Sequence, residues 1–569
     1  MILEQGLGDQ EKAEALAKEL EALRSQREEF HADWDAAQQF VSTAVLSFAT
    51  QEDTADKKYV LPKRITSRPA HFMDTMVSGV CGYSVNQNIP WLKLGFENRD
   101  LENQYGVKDW LELAEEQVYK CFNESNLYAQ NPQFIESAGT FGHGVMLIDE
   151  DIRHGRPRYT AMNPREIFMD TDEYDEVDTI FREFFMSWEN ASAYFGFENL
   201  AEQIRRAWDS EKNIHRKRVH LLHAVYRNKN SRGEQVSRNF AYASVFVDLD
   251  NKHIIREGGY NDFPYAVFIW KKNTGKKYGM GPAMSAVSDI RILHLFDEAR
   301  LDVAQFSARP ALNVPDSLRG REEIIPDGRN YYYPGDNPIV PIQVGENFPV
   351  TLEITQDQEQ RIKEWFHVDF FLMLQRMNLN QMTATAVVEL QGEKAAVLSN
   401  MVSNLNGALH KIIQRTVDIL FKQGKLPELP YALKQTRTAM KVDFLGVLAQ
   451  AQRRAHQTSG IMQVIGVLNS MATTAQAVPQ LAEAFDYING PEIFKRVFDA
   501  AGVSQLTIRE DDEVKAIQEA RAQAQAAAAE QERAMVQQQE IMKNYKNLNE
   551  PVNPDSPMGQ LEQAAGGNA

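Results

Sequence analysis

Six carboxylates fall within the nine residues from Asp170 to Asp178. That density could hold a divalent cation if the side chains converged. Nothing in the local pattern fixes them toward a common point, so a solvated acidic loop is the simpler expectation. His220 and His223 stand three apart inside Val219–Tyr226, which reads as a strand. On a strand, residues three apart point to opposite faces, so no shared metal is expected. Gly139 to Gly144 is glycine-rich but lacks the strand–GxGxxG–helix setting of a phosphate cradle. Gly279 and Gly281 precede a helix start, an anion-friendly place. Pro282 removes one donor there, and the pair reads as a tight turn. Cys81 and Cys121 have no CxxC partner and read as two buried small hydrophobes. The chain has no GxxxxGK[ST], no HExxH and no GxSxG. The expectation is no catalytic set, no metal, no cofactor and no enzyme. A metal-dependent nuclease using the acidic run is one rival reading, and chelator-sensitive DNA cleavage would support it.

One basic cluster stands out: Arg205, Arg206, Lys212, His215, Arg216, Lys217 and Arg218. It reads, in order of preference, as a solvated helix end, a subunit contact or a nucleic-acid contact. The whole chain is acidic, with a net charge of −18. Phosphate contacts supply most non-specific DNA affinity, so composition argues against a tight DNA binder. It does not argue against a protein that DNA slides past.

The chain has 569 residues, too many for one core, since single cores stop growing at roughly 250–300 residues. Its 43% hydrophobic and 25% charged residues are ordinary for a globular protein. The best apolar run, Tyr265 to Trp270, is strand-sized, and no stretch approaches the ~20 residues of a membrane span. The N-terminus is acidic and helical, without the basic-then-apolar order of a signal peptide. The expectation is a chain made and kept in a cytoplasm.

The elements that must position these residues follow from periodicity. Glu11–Glu29 reads as helix with Leu16, Leu20 and Leu23 on one face, and a second helix follows from His31 to about Phe48. Residues 59–130 look mainly helical, with Leu113, Val118 and Phe122 among the apolar positions of one amphipathic stretch. Asn131-Pro132 is read as a break. Val145–Ile148, Val219–Tyr226, Ala243–Leu249 and Tyr265–Trp270 read as strands, with a helical interruption over Glu189–Trp208. Pro282 opens a helix to about Ala308, with Ile292, Phe296, Ala299, Val303 and Phe306 as its stripe. A proline-rich excursion follows, then a helix over Thr355–Met377 that is apolar nearly all round, including Ile362, Trp365 and Phe366. A polar linker, Asn378 to Thr385, leads to a long helix ending near Gln423. Leu398, Val402, Leu405, Leu409, Ile413, Val417 and Leu420 line one face of it, and Gly424 stands at C′. Strand-like segments lie near Tyr431 and over Lys441–Phe444. Helices resume at Leu445, and one starts at Pro491. Val514–Tyr545 can be helical without a wide core face, and Lys546–Ala569 reads as disordered.

That order of parts resembles the portal, or head-to-tail connector, subunits of short-tailed bacteriophages. Tyr278-Gly-Met-Gly-Pro-Ala-Met284, followed by Asp289-Ile290, resembles the family's YGRGPAM stretch. Met382-Thr-Ala-Thr385 resembles its MTATE signature, and Gly392-Glu-Lys394 its later GEK. The Trp34 helix and Lys63-Arg64 match more loosely. The resemblance covers roughly residues 25–500. Two departures stand out. Met280 replaces the usual Arg, and Ala386 replaces the usual Glu. Without that Glu the reciprocal bond of a capping box is lost, so the helix start should fray. Ala386→Glu should then raise hydrogen-exchange protection over 383–388, and unchanged protection would count against the idea.

The resemblance implies an α+β, mainly helical portal fold that closes into a ring. An N-terminal helical segment (1–58) would precede an α+β wing (59–278). A first stem helix (279–308), a β-rich clip (309–354) and a second stem helix (355–377) follow. Then come a tunnel loop (378–385), a long wing helix with strands (386–445) and wing or crown helices (446–503). A crown or barrel helix (504–545) and a disordered tail (546–569) end the chain. The ring would have about twelve subunits and stand at one capsid vertex of the virion, assembled in the host bacterial cytoplasm. It would be the channel for genome packaging and ejection. Double-stranded DNA would pass non-specifically through a constriction at Asn378, Asn380, Gln381, Met382 and Thr383. Terminase and then a tail adaptor would dock at the clip, around Arg319, Arg321, Arg329, Tyr331, Tyr332 and Tyr333. Ile292, Phe296, Val303, Phe306, Ile362, Trp365 and Phe366 would pack the stem. Major capsid and scaffolding proteins would be further partners, with no membrane. A different virion ring component, such as a tail adaptor, is the other rival.

Overall fold

The computed structural model describes residues 9–42, 65–98, 106–151, 154–210, 216–228, 240–320, 348–376, 398–431 and 440–445. It also describes scattered positions within 101–104, 322–342, 433 and 520–539. The chain divides into two units, Met1–Gly460 and Ile461–Ala569. In the second, only scattered residues over 520–539 are described, all of them helical and within the Val514–Tyr545 segment, while the helix expected from Pro491 lies outside the described residues.

Two N-terminal helices, α1 (Asp9–Glu28) and α2 (His31–Val41), begin the first unit. The expected apolar face of α1, Leu16, Leu20 and Leu23, is buried. It lies on Phe168, Phe181, Leu222, Val245 and Val247 of a five-stranded antiparallel sheet. That sheet runs β4-β5-β6-β7-β8: β4 (Ile167–Thr171), β5 (Val177–Ser187), β6 (Arg218–Arg227), β7 (Tyr242–Asp248) and β8 (His253–Tyr260). The order is a meander, so each strand pairs with its sequence neighbour.

Helices α3 (Arg68–Ser84), α4 (Val107–Glu124) and α5 (Leu127–Phe141) form the larger core. β1 (Leu92–Phe96) lies between α3 and α4 and pairs with a strand from far along the chain. The expected break at Asn131-Pro132 is not observed, because Pro132 lies inside α5. Buried Phe134, Ile135 and Ala138 hold the helix through packing, which outweighs the one lost backbone bond. Leu113 is a second correction: it is exposed on α4, whose buried face is Trp110, Ala114, Val118 and Phe122.

A three-stranded sheet, β3-β2-β9, backs α5. It comprises β2 (His143–Asp151), β3 (Arg156–Ala161) and β9 (Tyr265–Ile269). The helical interruption resolves into α6 (Trp188–Phe195) and α7 (Glu202–Ala207). α8 spans Pro282–Ala308, as the proline and the Arg309-Pro310 stop predict. Within the excursion β10 (Leu312–Asn313) pairs with β11 (Val340–Pro341).

The helix expected over Thr355–Met377 is two helices, α9 (Phe348–Trp365) and α10 (Val368–Arg376). His367 between them has φ +52°. The break lets Phe366 bury with Val368, Phe370 and Phe371, which a straight helix would spread round its circumference. All seven positions of the expected stripe are buried, Leu398 as the cap and the other six on α11 (Ser399–Lys422). Gly424 follows at φ +66°, a C′ conformation that only Gly adopts freely. β12 (Met440–Phe444) pairs with β1, and the strand-like reading near Tyr431 is corrected, since Tyr431 is helical.

Candidate functional site

The Tyr278 signature forms a junction between backbones. The Trp270 amide donates to the Gly142 carbonyl (3.0 Å) and the Met280 amide to the Lys271 carbonyl (2.8 Å). A Cβ on Gly279 would lie 2.5 Å from the Gly142 carbonyl oxygen, and one on Gly281 would collide with that of Gly139. Gly142 and Gly279 are therefore used on one another and Gly281 on the Gly139 backbone, where chains cross at a separation no side chain permits, while Gly144 lies against the Phe134 carbonyl.

The N-terminal helices lock that junction. Tyr278 is buried against Phe30 (5.3 Å between ring centroids), Trp34 (5.3 Å) and His143 (5.1 Å). Its hydroxyl accepts from the Met169 amide at 3.1 Å. Below it, Arg27 donates to the Arg165 (2.7 Å) and Ile167 (3.0 Å) carbonyls and lies over the Phe168 ring. Burial lowers the Arg27 guanidinium to about 10, so it stays charged at neutral pH. The Trp34 helix, a loose match in sequence, is thus an integral part of the motif.

From this junction α8 runs outward. Ala283, Ala286, Val287, Ile290, Leu293 and His294 are buried, against helices that include α2 and α5. Beyond His294 no residue of α8 is buried, so its last fourteen residues, ~21 Å of helix, carry their side chains outside the core. The expected stripe is not the face packed within the chain. Ile292 and Phe306 are exposed, Phe296 and Val303 half-buried. On α9 and its end Ile362 and Phe366 are fully buried, while Trp365 is 44% exposed. Among the described residues, exposed large apolar side chains gather here: Ile292, Leu295, Leu301 and Phe306 on α8, Ile354 and Trp365 on α9.

Polar side chains tie the two helices to each other and to α3. The Trp365 Nε1–H donates to Asp289 Oδ2 at 3.0 Å. Arg68 forks, with Nη2 on both oxygens of Asp297 (2.7 and 2.8 Å) and Nη1 on Glu359 (2.7 Å). Burial raises the Glu359 carboxyl, but hydrogen bonds from Lys363 and Arg68 outweigh it and hold the group below its ordinary value. Sequence reasoning missed Arg68, because nothing local announces partners 229 and 291 residues away.

In the excursion Arg319 and Tyr331 are exposed, and Arg319 lies 3.9 Å from Asp316. Arg321, Arg329, Tyr332 and Tyr333 lie outside the described residues, as do Asn378, Asn380, Gln381, Met382, Thr383 and the Ala386 position.

The acidic run forms the β4–β5 turn, where its carboxylates diverge. Asp170 meets Lys277 (2.5 Å), Asp175 meets Lys272 (2.6 Å) and Glu176 approaches Lys411 (3.7 Å). The two strand histidines take separate partners. His220 meets Glu183 (2.7 Å), and His223 meets Ser244 (2.9 Å) while stacking on Phe246. Among the described residues no cluster of three or more His, Cys, Asp or Glu is placed to hold a metal, and no helix is long and apolar enough to cross a membrane. Both cysteines are thiols, raised by burial to about 12 for Cys81 and about 11 for Cys121.

Comparison with known proteins bears on this geometry. The chain is 28% identical over 572 residues to the portal protein of Salmonella phage epsilon15, covering 97% of this chain and 98% of that relative. It is 24% identical over 512 residues to the probable portal protein of Bordetella phage BPP-1, covering 88% and 90%. The bacteriophage head to tail connecting protein family matches residues 13–508. An α+β chain with a helix running out of its core, matched over most of its length, belongs to the bacteriophage head to tail connecting protein family.

Proposed function

We propose that this chain is the portal subunit of a short-tailed phage: one of about twelve copies in a ring at a single capsid vertex. The observation that carries the reading is α8. It leaves the core after His294 with Leu295, Leu301 and Phe306 exposed, and large apolar side chains in water call for cover. Copies around a rotation axis supply such cover through a heterologous contact that closes. In this reading α8 and α9 are the stem, the excursion between them is the clip, and residues 378–385 form the tunnel loop. Family membership makes the chain a structural connector and a virion component.

Twelve chains of net charge −18 would give the ring a formal charge of about −216, a field that repels phosphate. DNA would be driven in by a partner terminase that hydrolyses ATP, and would leave without sticking to the wall. The clip, with Arg319 and Tyr331 exposed, would dock terminase first and the tail adaptor later. Capsid and scaffolding proteins would meet the outer face.

The test is the mass and rotational symmetry of the purified protein, by native mass spectrometry with negative-stain averaging. The expected result is a ring of about twelve subunits with a central hole. A monomer or dimer that persists across salt concentrations would overturn the reading.

A further inference from the structure

The five-stranded sheet carries unlike groups at the two ends of one strand. β5 runs from Val177 to Ser187, a rise of ~33 Å. Before it lies a tight turn in which Asp172 accepts from the Tyr174 and Glu176 amides, both at 2.9 Å. Glu173 and Tyr174 form the tip, and Tyr174 is 80% exposed. Of the six carboxylates from Asp170 to Asp178, three take lysines, which leaves a formal charge of −3 (six less three).

The far end of β5 differs in kind. Ser187 caps α6 and pairs in register with Arg218, the first residue of β6. Trp188 stacks on Trp208, and Phe197 meets Trp208 edge-on at 5.1 Å. Phe197 is exposed at this aromatic corner. Arg205, Arg206, Arg216 and Lys217 are exposed there too, and Arg206 pairs with Glu202. Glu189, Glu198, Glu202 and Asp209 lie on the helical side, and Arg216, Lys217 and Arg218 stand together at the start of β6.

Tip and corner are opposite in charge, and both present exposed aromatic rings. A strand held inside a sheet keeps them apart, so no motion of one chain brings them together. A second copy can. A contact that uses two different patches on opposite ends of a subunit is heterologous, the kind that closes into rings. We infer that the acidic hairpin tip of one copy, Glu173 and Tyr174 foremost, seats against the basic aromatic corner of the next. The inference rests on the ring reading above and names the surfaces that meet.

The test uses two full-length variants and their mixture. Arg205→Glu with Arg216→Glu makes the corner acidic. Glu173→Lys with Glu176→Lys makes the tip basic. In native mass spectrometry at low salt, each alone is expected to show at least a tenfold lower ring fraction than the parent chain. Mixed one to one, they are expected to regain rings of even subunit number with equal content of each. That rescue requires both variants to be folded. Rings from either variant alone at the parental level would overturn the inference and leave the ring reading standing. So would absence of rescue between variants whose circular dichroism matches the parent. Normal rings from Arg205→Glu/Arg216→Glu combined with lost salt-sensitive DNA binding would overturn it too, assigning the corner to nucleic acid. A parent chain that forms no ring would sink the ring reading itself.

Discussion

The Trp365 indole N–H donates to the Asp289 carboxylate at 3.0 Å, 76 positions earlier in the chain. The bond joins the last residue of α9 to the base of α8, immediately before the break at Phe366 and His367. It holds the end of one helix in place so that the next can turn into the core.

Trp365→Phe keeps a ring and deletes the donor. Hydrogen bonds to charged groups contribute about 1.5–3 kcal/mol, and part exposure of this pair places the cost at the low end. The expected outcome is a small loss of global stability with a larger local effect. Hydrogen exchange over 366–371 should quicken several-fold while α11 keeps its protection. Equal quickening in both helices would mean that the bond does not set the break.

The Arg68 fork makes a sharper claim. One guanidinium serves Asp297 on α8 and Glu359 on α9, and a lysine ammonium cannot reproduce two such planar contacts. Arg68→Lys should therefore behave nearly as Arg68→Ala, each costing about 1 kcal/mol in chemical unfolding. The pH dependence follows from Glu359, whose folded carboxyl titrates below its ordinary value. Its stabilisation is fully present above that ordinary value and is lost as pH falls through the depressed one. A lysine variant as stable as the parent would show that charge alone matters here.

The glycine junction predicts opposite outcomes for similar changes. Gly279→Ala and Gly281→Ala force a methyl into the carbonyls of Gly142 and Gly139, and should each cost about 1–3 kcal/mol. Gly82→Ala lies within α3 and meets nothing within 4 Å. It should be neutral or stabilise by up to about 1 kcal/mol. Thermal melts of the three variants decide it. A harmless Gly281→Ala would mean that the junction opens readily.

These cases mark how far the sequence could be read. Long periodic faces were legible, because helical spacing records which side is buried: all seven positions from Leu398 to Leu420 lie in the core. The α8 stripe from Ile292 to Phe306 was legible as apolar but not as exposed, since periodicity says which residues share a face and not what covers it. The break at His367 was hidden by a run apolar on every side, which suits one buried helix or two. β1 went unread because its partner strand, β12, lies about 350 residues further on. Its other edge is closed by the Tyr119 hydroxyl, which accepts from the Trp91 and Leu92 amides and donates to the Leu92 carbonyl. No local pattern encodes that plug. The motif residues Tyr278 to Met284 were readable by resemblance, yet their dependence on Trp34 and Arg27 is a tertiary fact.

Two buried histidines give a stability profile with a definite sign. Burial lowers His143 to about 4 and His223 to about 3, the latter helped by Arg182 and Arg256. Both are neutral in the folded chain at pH 6, whereas an unfolded chain's histidines are half protonated near pH 6.5. Below that point the unfolded state binds more protons, so stability falls with falling pH. Each ring adds a slope of up to about 1.4 kcal/mol per pH unit. His143 stops contributing near pH 4, and His223 continues to about 3. Buried carboxyls such as Glu115 and Asp248 are raised and act in the opposite direction, so the readout is a difference between variants. His223→Gln cannot take up a proton and retains groups that can bond Ser244. It should lower stability at pH 7 but lose less than the parent between pH 6 and 4.5, so the two urea-midpoint curves converge as pH falls. Parallel curves would mean that His223 is hydrated in the folded chain and titrates like an exposed ring.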